Sequence, residues 1–402
     1  MPANPRLTRS SLARFFVVSM VFLHGYFLWV ARDRIWHGFP DFSIFYTAGR
    51  MIRSGMGGQL YSVRSQLQVQ QTFISTGWLG PLPFNHPPFE ALPFVPLTFL
   101  SYATAFVVWD LLSLGVLFAV VVLLRKHSRV LAGISVMDGW LALIAFFPVL
   151  DTLLQGQDSI VLLLIFALAY DALSTGEDAR AGIWFGLSLF KFQFAVPLVL
   201  LLTLWGRRRT GAAFAATGAA LVALSLSITG WKGLLDYPRF VAKIASTPNS
   251  GRTPTDIMAN LHGLVEGWGG WPPPKLGLAL VLVLSAAVLA WAASAGQRLV
   301  RGEDWPAAFS FAIVVCVLVS YQANPHDLTL LVIPIALLLD RFAPSSTNRH
   351  WNWRLCSPVL PLLVSPVWIT VWLGWGHTNI FSLLLIWWAV ALAAIRQATS
   401  KL

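Results

Sequence analysis

Long apolar runs nearly free of charge constrain this chain more than anything else in it. Val107–Leu124, Val161–Ala172 and Leu276–Ala295 are the clearest of them. About 20 such residues cross a hydrocarbon core as a helix, with every backbone hydrogen bond made inside the segment. Composition agrees: of 402 residues 56% are hydrophobic and only 11% charged, with mean hydropathy +0.68, against about 25% charged in soluble domains. The runs lack the alternation of transmembrane barrel strands. These features argue against a disordered, coiled-coil or soluble chain and predict an all-α, polytopic membrane bundle with a single domain over residues 1–402.

The formal net charge is +11, from 28 Lys and Arg against 17 Asp and Glu. In a membrane protein such an excess means orientation and headgroup contact before it means nucleic acid. The basic start (Arg6, Arg9, Arg14) precedes an apolar stretch, Phe15–Ala31, too long for a signal-peptide core, and no small-residue cleavage site follows it. It predicts an uncleaved first helix. Seventeen cations fall at chain ends and short loops that share one side: those three, Arg125, Lys126, Arg129, Arg180, Arg207–Arg209, Arg298, Arg301, Arg341, Arg349, Arg354, Arg396 and Lys401. The positive-inside rule makes that side cytoplasmic, with both termini inside, the other face extracytoplasmic, and about twelve membrane segments in a cell membrane. Because Arg180 and Arg207 share a side, residues 181–206 must form a tight hairpin or re-entrant pair turning near Lys191. Cys316 and Cys356 have no metal or disulfide spacing.

Two outer loops are long, 32–98 and 230–275, which marks them as functional. In the first, Asp41 opens a segment with Ile44, Phe45, Ala48, Met51 and Ile52 on one helical face and Ser43, Thr47, Arg50 and Ser54 on the other. The pattern predicts an amphipathic interfacial helix with its basic side toward headgroups, ended by Gly55, Gly57 and Gly58, then a second short helix over 63–74. Pro81 to Pro88 is too proline-rich for a helix and predicts an ordered, extended turn. Trp271-Pro-Pro-Pro274 is a stiff lead-in to the next helix.

Asp41 admits two roles. It can cap its helix, accepting from free N–H groups, or stand as a carboxylate where lipid-borne substrates arrive; capping would also hold it in place. The outer cations, Arg50 and Arg53 among them with Arg32, Arg34, Arg64, Lys232, Arg239, Lys243, Arg252 and Lys275, run against the topological bias and suit a lipid phosphate as a set. Each alone also reads as a solvated loop charge. Lys191 inside an apolar stretch is a functional candidate or a lysine that snorkels from a hairpin tip. Asp110 lies mid-helix with no partner legible in the sequence. His326 and Asp327, His86, and Gln157 with Asp158 sit at polar turns where they either bind a sugar or phosphate or simply cap. No spacing suits a metal, and no nucleotide-binding or nucleophile-elbow motif occurs.

In order and spacing these landmarks resemble a known family. Asp41-Phe-Ser-Ile-Phe-Tyr-Thr-Ala-Gly-Arg50, Gly58-Gln-Leu-Tyr61, Phe84-Asn-His-Pro-Pro-Phe89 with Pro93 and Pro96, Gly156-Gln157-Asp158, Gly182-Ile-Trp-Phe-Gly186 with Lys191, and Asn324-Pro-His-Asp-Leu328 are similar to glycosyltransferase family 87. That family includes polyprenyl-phosphate-mannose-dependent α-mannosyltransferases. The resemblance runs over roughly 40–340. It implies a GT-C fold, a first outer loop carrying the catalytic carboxylate, and inverting transfer of a hexose, mannose above all, from a polyprenyl-phosphate donor to a lipid or glycan acceptor, with no cofactor or nucleotide sugar. Asp41 takes the general-base position; Lys191 and His326 match the family's basic and histidine positions at donor phosphate and sugar. Relatives often carry an aromatic where His86 stands, which bears on sugar or acceptor identity.

Inverting transfer needs one base for the acceptor hydroxyl and cations for the leaving phosphate, but no acid. One prominent carboxylate, rather than a pair, fits that need. Two other functions compete. A flippase or transporter of lipid-linked saccharide would predict inverted repeats and ionisable residues through the midplane, whereas the candidates here cluster on one face and no repeat is visible. A ligase moving oligosaccharide from a lipid diphosphate would want more outer arginine near the site, which Arg50 and Arg53 supply. A non-catalytic membrane scaffold is the remaining possibility.

Overall fold

The computed structural model describes residues 5–38, 40–74, 82–246, 254–269, 273–342 and 352–395. Pro81, Arg252, Trp271, Pro272, Arg349, Arg396 and Lys401 lie outside the described residues, as do the side chains of Arg6 and Arg9. The described residues form helices and turns without strands. Five segments are long and apolar enough to cross a membrane: Ser11–Trp36, Tyr102–His127, Asp178–Leu204, Arg208–Ile244 and Lys275–Arg301. Counting Val136–Ile144 with Phe147–Gln155, a pair bent by 69°, gives six.

The expected count of about twelve is therefore not reached among the described residues. The reason is length. Ser159–Ser174 has 16 residues and Trp305–Val319 has 15, short of the roughly 20 that span a bilayer. Each of these helices has one end at a turn whose polar residues are buried, Asp158 and Ser159 for the first and Ser320 and Asn324 for the second. The first helix, by contrast, leaves Phe15, Phe22 and Trp29 exposed, as a lipid-facing helix does.

By length and composition Asp178–Leu204 counts as one span, yet it doubles back. A straight helix of this length would hold its ends roughly 40 Å apart. Instead Arg207 Nη1 lies 2.9 Å from Asp178 Oδ1, and Thr210 Oγ1 donates to the Asp178 carbonyl at 3.1 Å. Lys191 leaves helical geometry (φ −115°, ψ 59°), so the chain turns there between helices Asp178–Leu187 and Phe192–Leu204. Gly182 and Gly186 let the helix from Arg208 pack along the first arm: a Cβ on Gly182 would fall 2.3 Å from the Thr210 carbonyl oxygen, and one on Gly186 2.4 Å from Thr217 Cβ. The hairpin that the cation pattern required is the hairpin the structure has.

The first long loop is a packed layer. Phe42–Arg53 is a helix as expected, but it does not lie open to headgroups. Ser43 and Thr47, on its supposed polar face, are as fully buried as Phe42 and Phe45, and Thr47 Oγ1 returns its hydrogen bond to the Ser43 carbonyl. Phe45 stacks on Phe94 at 4.6 Å, and Phe42 meets Phe106 edge-on at 5.5 Å. Each aromatic so buried contributes about 1.5–3 kcal/mol, enough to draw the helix inward. Val63–Gln70 supplies the second short helix. Residues 82–87 run extended before a 3-10 turn at Pro88–Phe94.

The second long loop opens with helix. Arg208–Ser246 is broken only at Gly230 (φ 67°, ψ 176°), a backbone conformation open to glycine. Beyond the break, Tyr237 and Phe240 pack on Tyr61 at 5.3 and 5.6 Å. The two long loops thus share one core and close over the same end of the bundle.

Candidate active site

Helix Phe147–Gln155 ends at Gly156, in the left-handed conformation (φ 59°, ψ 38°) that closes helices. A Cβ there would sit 2.6 Å from Phe42 Cβ. Glycine therefore brings the Gln157 turn against the start of the Asp41 helix. Gln157 Nε2 donates to Asp41 Oδ2 at 2.7 Å. Asp41 makes no side-chain cap, so the capping role is not the one its carboxylate fills.

A cavity of about 170 Å³ opens beside this contact, lined by Asp41, His86, Gln157, Lys191, His326 and Asp327 with Asn85, Tyr237, Tyr321 and Asn324. Five of the seven predicted site residues therefore meet in one place, from five separate stretches of chain. Lys191 Nζ, at the hairpin turn, contacts Asp327 Oδ1 at 2.6 Å, Asp158 Oδ1 at 3.3 Å and Ser159 Oγ at 3.1 Å. It is buried and already held by two acids, not snorkelling to the surface. His326 Nδ1 faces Asp151 Oδ2 at 3.3 Å, and its Nε2 lies 3.7 Å from Asp327 Oδ1. Asp327 also closes its own turn, accepting from the Asn324 N–H at 3.0 Å, so there the structural and site roles coincide.

Arg50 and Arg53 are not brought to the cavity. They lie at the far end of the Asp41 helix, nine and twelve residues on, or roughly 14 and 18 Å along the axis. Arg50 Nη1 donates to Thr72 Oγ1 at 2.8 Å and Arg53 to the Thr98 carbonyl, with its guanidinium over the Phe99 ring. The expectation that they bind donor phosphate finds no support at this cavity, which neither of them lines; they pin the first loop to itself.

The expectation of one prominent carboxylate is corrected too. Asp41, Glu90, Asp151, Asp158 and Asp327 stand with one lysine and two histidines. Asp151 carried the signal used for Lys191, an ionisable residue in an apolar run, and was passed over. Glu90, behind the proline-rich turn, carried none. Asp110, mid-helix, stays apart, with Oδ1 buried and no hydrogen-bond partner.

Burial raises the Asp41 pKa above its usual range, against opposing pulls from His326 and the Gln157 bond. For His326 burial works against the charge, but Asp327 and the Asp151 contact outweigh it and raise the value above an ordinary histidine's. Burial takes His86 down to about 4, and takes Glu90 well above a normal carboxyl, with Asp158 adding to the rise. The cavity thus holds an aspartate and a histidine whose pKa values are both moved upward, the first by burial and the second by its two acids. Among the described residues no group of three or more His, Cys, Asp or Glu is disposed to hold a metal ion.

The model of Glycosyltransferase family 87 matches residues 84–325, more than half of the chain. The chain belongs to glycosyltransferase family 87. The matched stretch carries His86, Glu90, Asp151, Gln157, Asp158 and Lys191; Asp41 precedes it, and His326 with Asp327 follows its last residue. No curated protein and no solved structure matches the chain. Membership makes the protein a glycosyltransferase, and its long apolar helices make it a membrane one. The cavity brings a carboxylate, a histidine and polar amides together around a concave space.

Proposed function

We propose that this membrane glycosyltransferase moves a hexose, mannose in the first instance, from a polyprenyl-phosphate donor to a hydroxyl of a lipid or glycan acceptor. Transfer inverts the anomeric carbon and takes place on the extracytoplasmic face, with both termini cytoplasmic and the helices in a GT-C arrangement. Asp41 is the general base.

One observation carries the assignment. Asp151 faces His326, Asp158 and Asp327 share Lys191, and Glu90 faces His86, whereas the side-chain partner of Asp41 is the neutral amide of Gln157. Of the two carboxylates that line the cavity among the described residues, Asp327 is bound to Lys191 and Asp41 to a neutral amide, so Asp41 is the one fit to accept a proton. In the reaction Asp41 takes the proton of the acceptor hydroxyl as its oxygen attacks the anomeric carbon. The bond to the phosphate oxygen breaks, and the lipid phosphate leaves as an anion that needs no acid. His326 meets its charge. Lys191, bound to two acids, acts one step back by ordering Asp158 and Asp327. Gln157 holds Asp41 in line, and His86 contacts the sugar.

The test uses membranes with the wild type or Asp41→Asn at matched expression, given radiolabelled polyprenyl-phosphate mannose and a mixed lipid extract. The expected result is a labelled product that the variant does not make. Labelling that survives the substitution would remove Asp41 from the chemistry. Silence in both, with lipid-linked sugar crossing the bilayer, would replace the transferase with a flippase.

A further inference from the structure

From Ala307 to Pro334 every residue is buried except two, Tyr321 and Gln322, and both line the cavity. His326 and Asp327, a few residues on, are 4% and 2% exposed, whereas Tyr321 is 43% exposed. Tyr321 therefore stands at the mouth of the cavity, and the acid–base groups lie in its depth. A stretch that hides Phe309 and Phe311 completely leaves this one large side chain open. Its turn is firmly held by the second long loop. The Ala259 N–H donates to the Ala323 carbonyl at 3.0 Å, Asn260 Nδ2 to the Ser320 carbonyl at 2.8 Å, and His262 Nδ1 to the Tyr321 carbonyl at 2.7 Å. The buried His262 ring backs the Tyr321 ring, with centroids 4.8 Å apart, and His262 Nε2 lies 3.2 Å from Glu266 Oε2. Three hydrogen bonds and a ring contact thus set an aromatic surface at the mouth before any ligand arrives, which spares binding the cost of ordering it.

We propose that Tyr321 is the platform on which a sugar ring of the acceptor stacks, making it a residue that determines acceptor specificity. The face of an aromatic ring is weakly negative, and one face of a pyranose is a patch of C–H groups with weakly positive hydrogens. Stacked, the two cover apolar surface that each otherwise leaves to water. His262 occupies one side of the Tyr321 ring and leaves the other for the ligand. The sugar that stacks there belongs to the acceptor. The donor's own sugar is held in the depth of the cavity, where its anomeric carbon reacts, and what the donor sends outward is phosphate and lipid. Stacking fixes which face of the acceptor sugar is presented, and so which hydroxyl is turned to Asp41. The inference rests on the transferase reading and deepens it: the acceptor carries a sugar ring beside the hydroxyl that reacts.

Two variants separate the possibilities. Tyr321→Phe keeps the ring and drops its hydroxyl, whereas Tyr321→Leu keeps apolar bulk without an aromatic face. Each full chain is purified in a detergent that has no sugar headgroup, with octyl α-mannoside as the acceptor probe. Binding is read by saturation-transfer NMR with the aromatic protons saturated. The expected signal is transfer to the C–H hydrogens on one face of the mannoside, present in the wild type and in Tyr321→Phe and lost in Tyr321→Leu. No transfer in the wild type, equal transfer in Tyr321→Leu, or loss in Tyr321→Phe as well would overturn the platform. In turnover with polyprenyl-phosphate mannose, KM for octyl α-mannoside should rise about fivefold in Tyr321→Leu and stay put in Tyr321→Phe, with kcat and the donor KM little changed. A rise in the donor KM instead would give the ring to the donor and overturn the acceptor assignment. Unchanged KM values for both substrates would reduce Tyr321 to an aromatic anchor in the membrane interface. Absence of sugar transfer in the wild type would strike the transferase reading, while the NMR signal still decides whether a sugar stacks on Tyr321.

Discussion

The two ends of the same helices treat charge in opposite ways. At one end Arg341 grips Asp304 with two 2.6 Å bonds, Arg207 holds Asp178 at 2.9 Å, and Lys126 and His127 flank Asp171 at 3.7 and 3.0 Å. These acids are each met by at least one cation, and the pairs reach toward solvent. At the other end Ser159, Lys191 and Asp327, from the same helices or their connecting turns, close a buried network in which acids outnumber bases. Lys191 and Asp327 are about 5% and 2% exposed. Ion pairs near water contribute little and cost little; buried ones are costly unless fully paired. A chain that folds well with neat pairs at one end keeps an unbalanced set at the other for a reason other than stability. Functional sites are where such imbalance is found.

Four outcomes break or sharpen this contrast. The largest effect is expected from Lys191→Met, which leaves Asp158 and Asp327 buried without their cation. It should cost about 3–5 kcal/mol, read as a large fall in melting temperature in detergent, whereas Arg341→Met at the other end should cost about 1 kcal/mol. Equal losses would erase the contrast. Asp41→Asn should stabilise the fold by about 1 kcal/mol, since it removes a charge that burial disfavours. The sign follows from the raised pKa: the folded state holds the proton more tightly than the unfolded chain, so wild-type stability falls as pH rises from the ordinary aspartate range through the raised value. The gain in the variant should accordingly appear at neutral pH and vanish in acid, as melting curves across pH will show.

A smaller effect is expected from Gln157→Leu. The Gln157 bond favours ionised Asp41, so its loss should raise that pKa further and move the acid limb of the pH–rate profile upward by about one pH unit. A limb that stays in place would detach Gln157 from the base. Smallest of all is Arg14→Ala: Arg14 reaches Asp138 at 2.8 Å but is largely exposed, and the melting temperature should not move.

What the sequence made legible follows from how local each signal is. Asp41, Gln157, Lys191 and His326 stand out because polar groups interrupt apolar runs or open helices, and the cavity does gather them. The Lys191 hairpin was legible because Arg180 and Arg207 demanded one side. Arg50 and Arg53 show in the sequence by their charge but not by their direction: a helix that opens with Asp41 in the cavity ends well away from it. The count of about twelve membrane segments is not reached among the described residues, since apolar character does not say where a helix stops. Glu90 and Asp151 gain their meaning only from partners, His86 and His326, that lie on other stretches of chain or across a turn. The close approach of Gly156 to the Phe42 and Phe106 side chains, which brings Gln157 to Asp41, joins distant stretches of chain and leaves no local mark in the sequence.

The most direct measurement compares donor binding with turnover in purified wild type and Asp41→Asn, using polyprenyl-phosphate mannose under single-turnover conditions. If Asp41 is the base, the variant binds the donor within about threefold of the wild type while transfer falls by at least about a hundredfold. A variant that transfers at the wild-type rate, or one whose loss is all in donor affinity, would contradict the account.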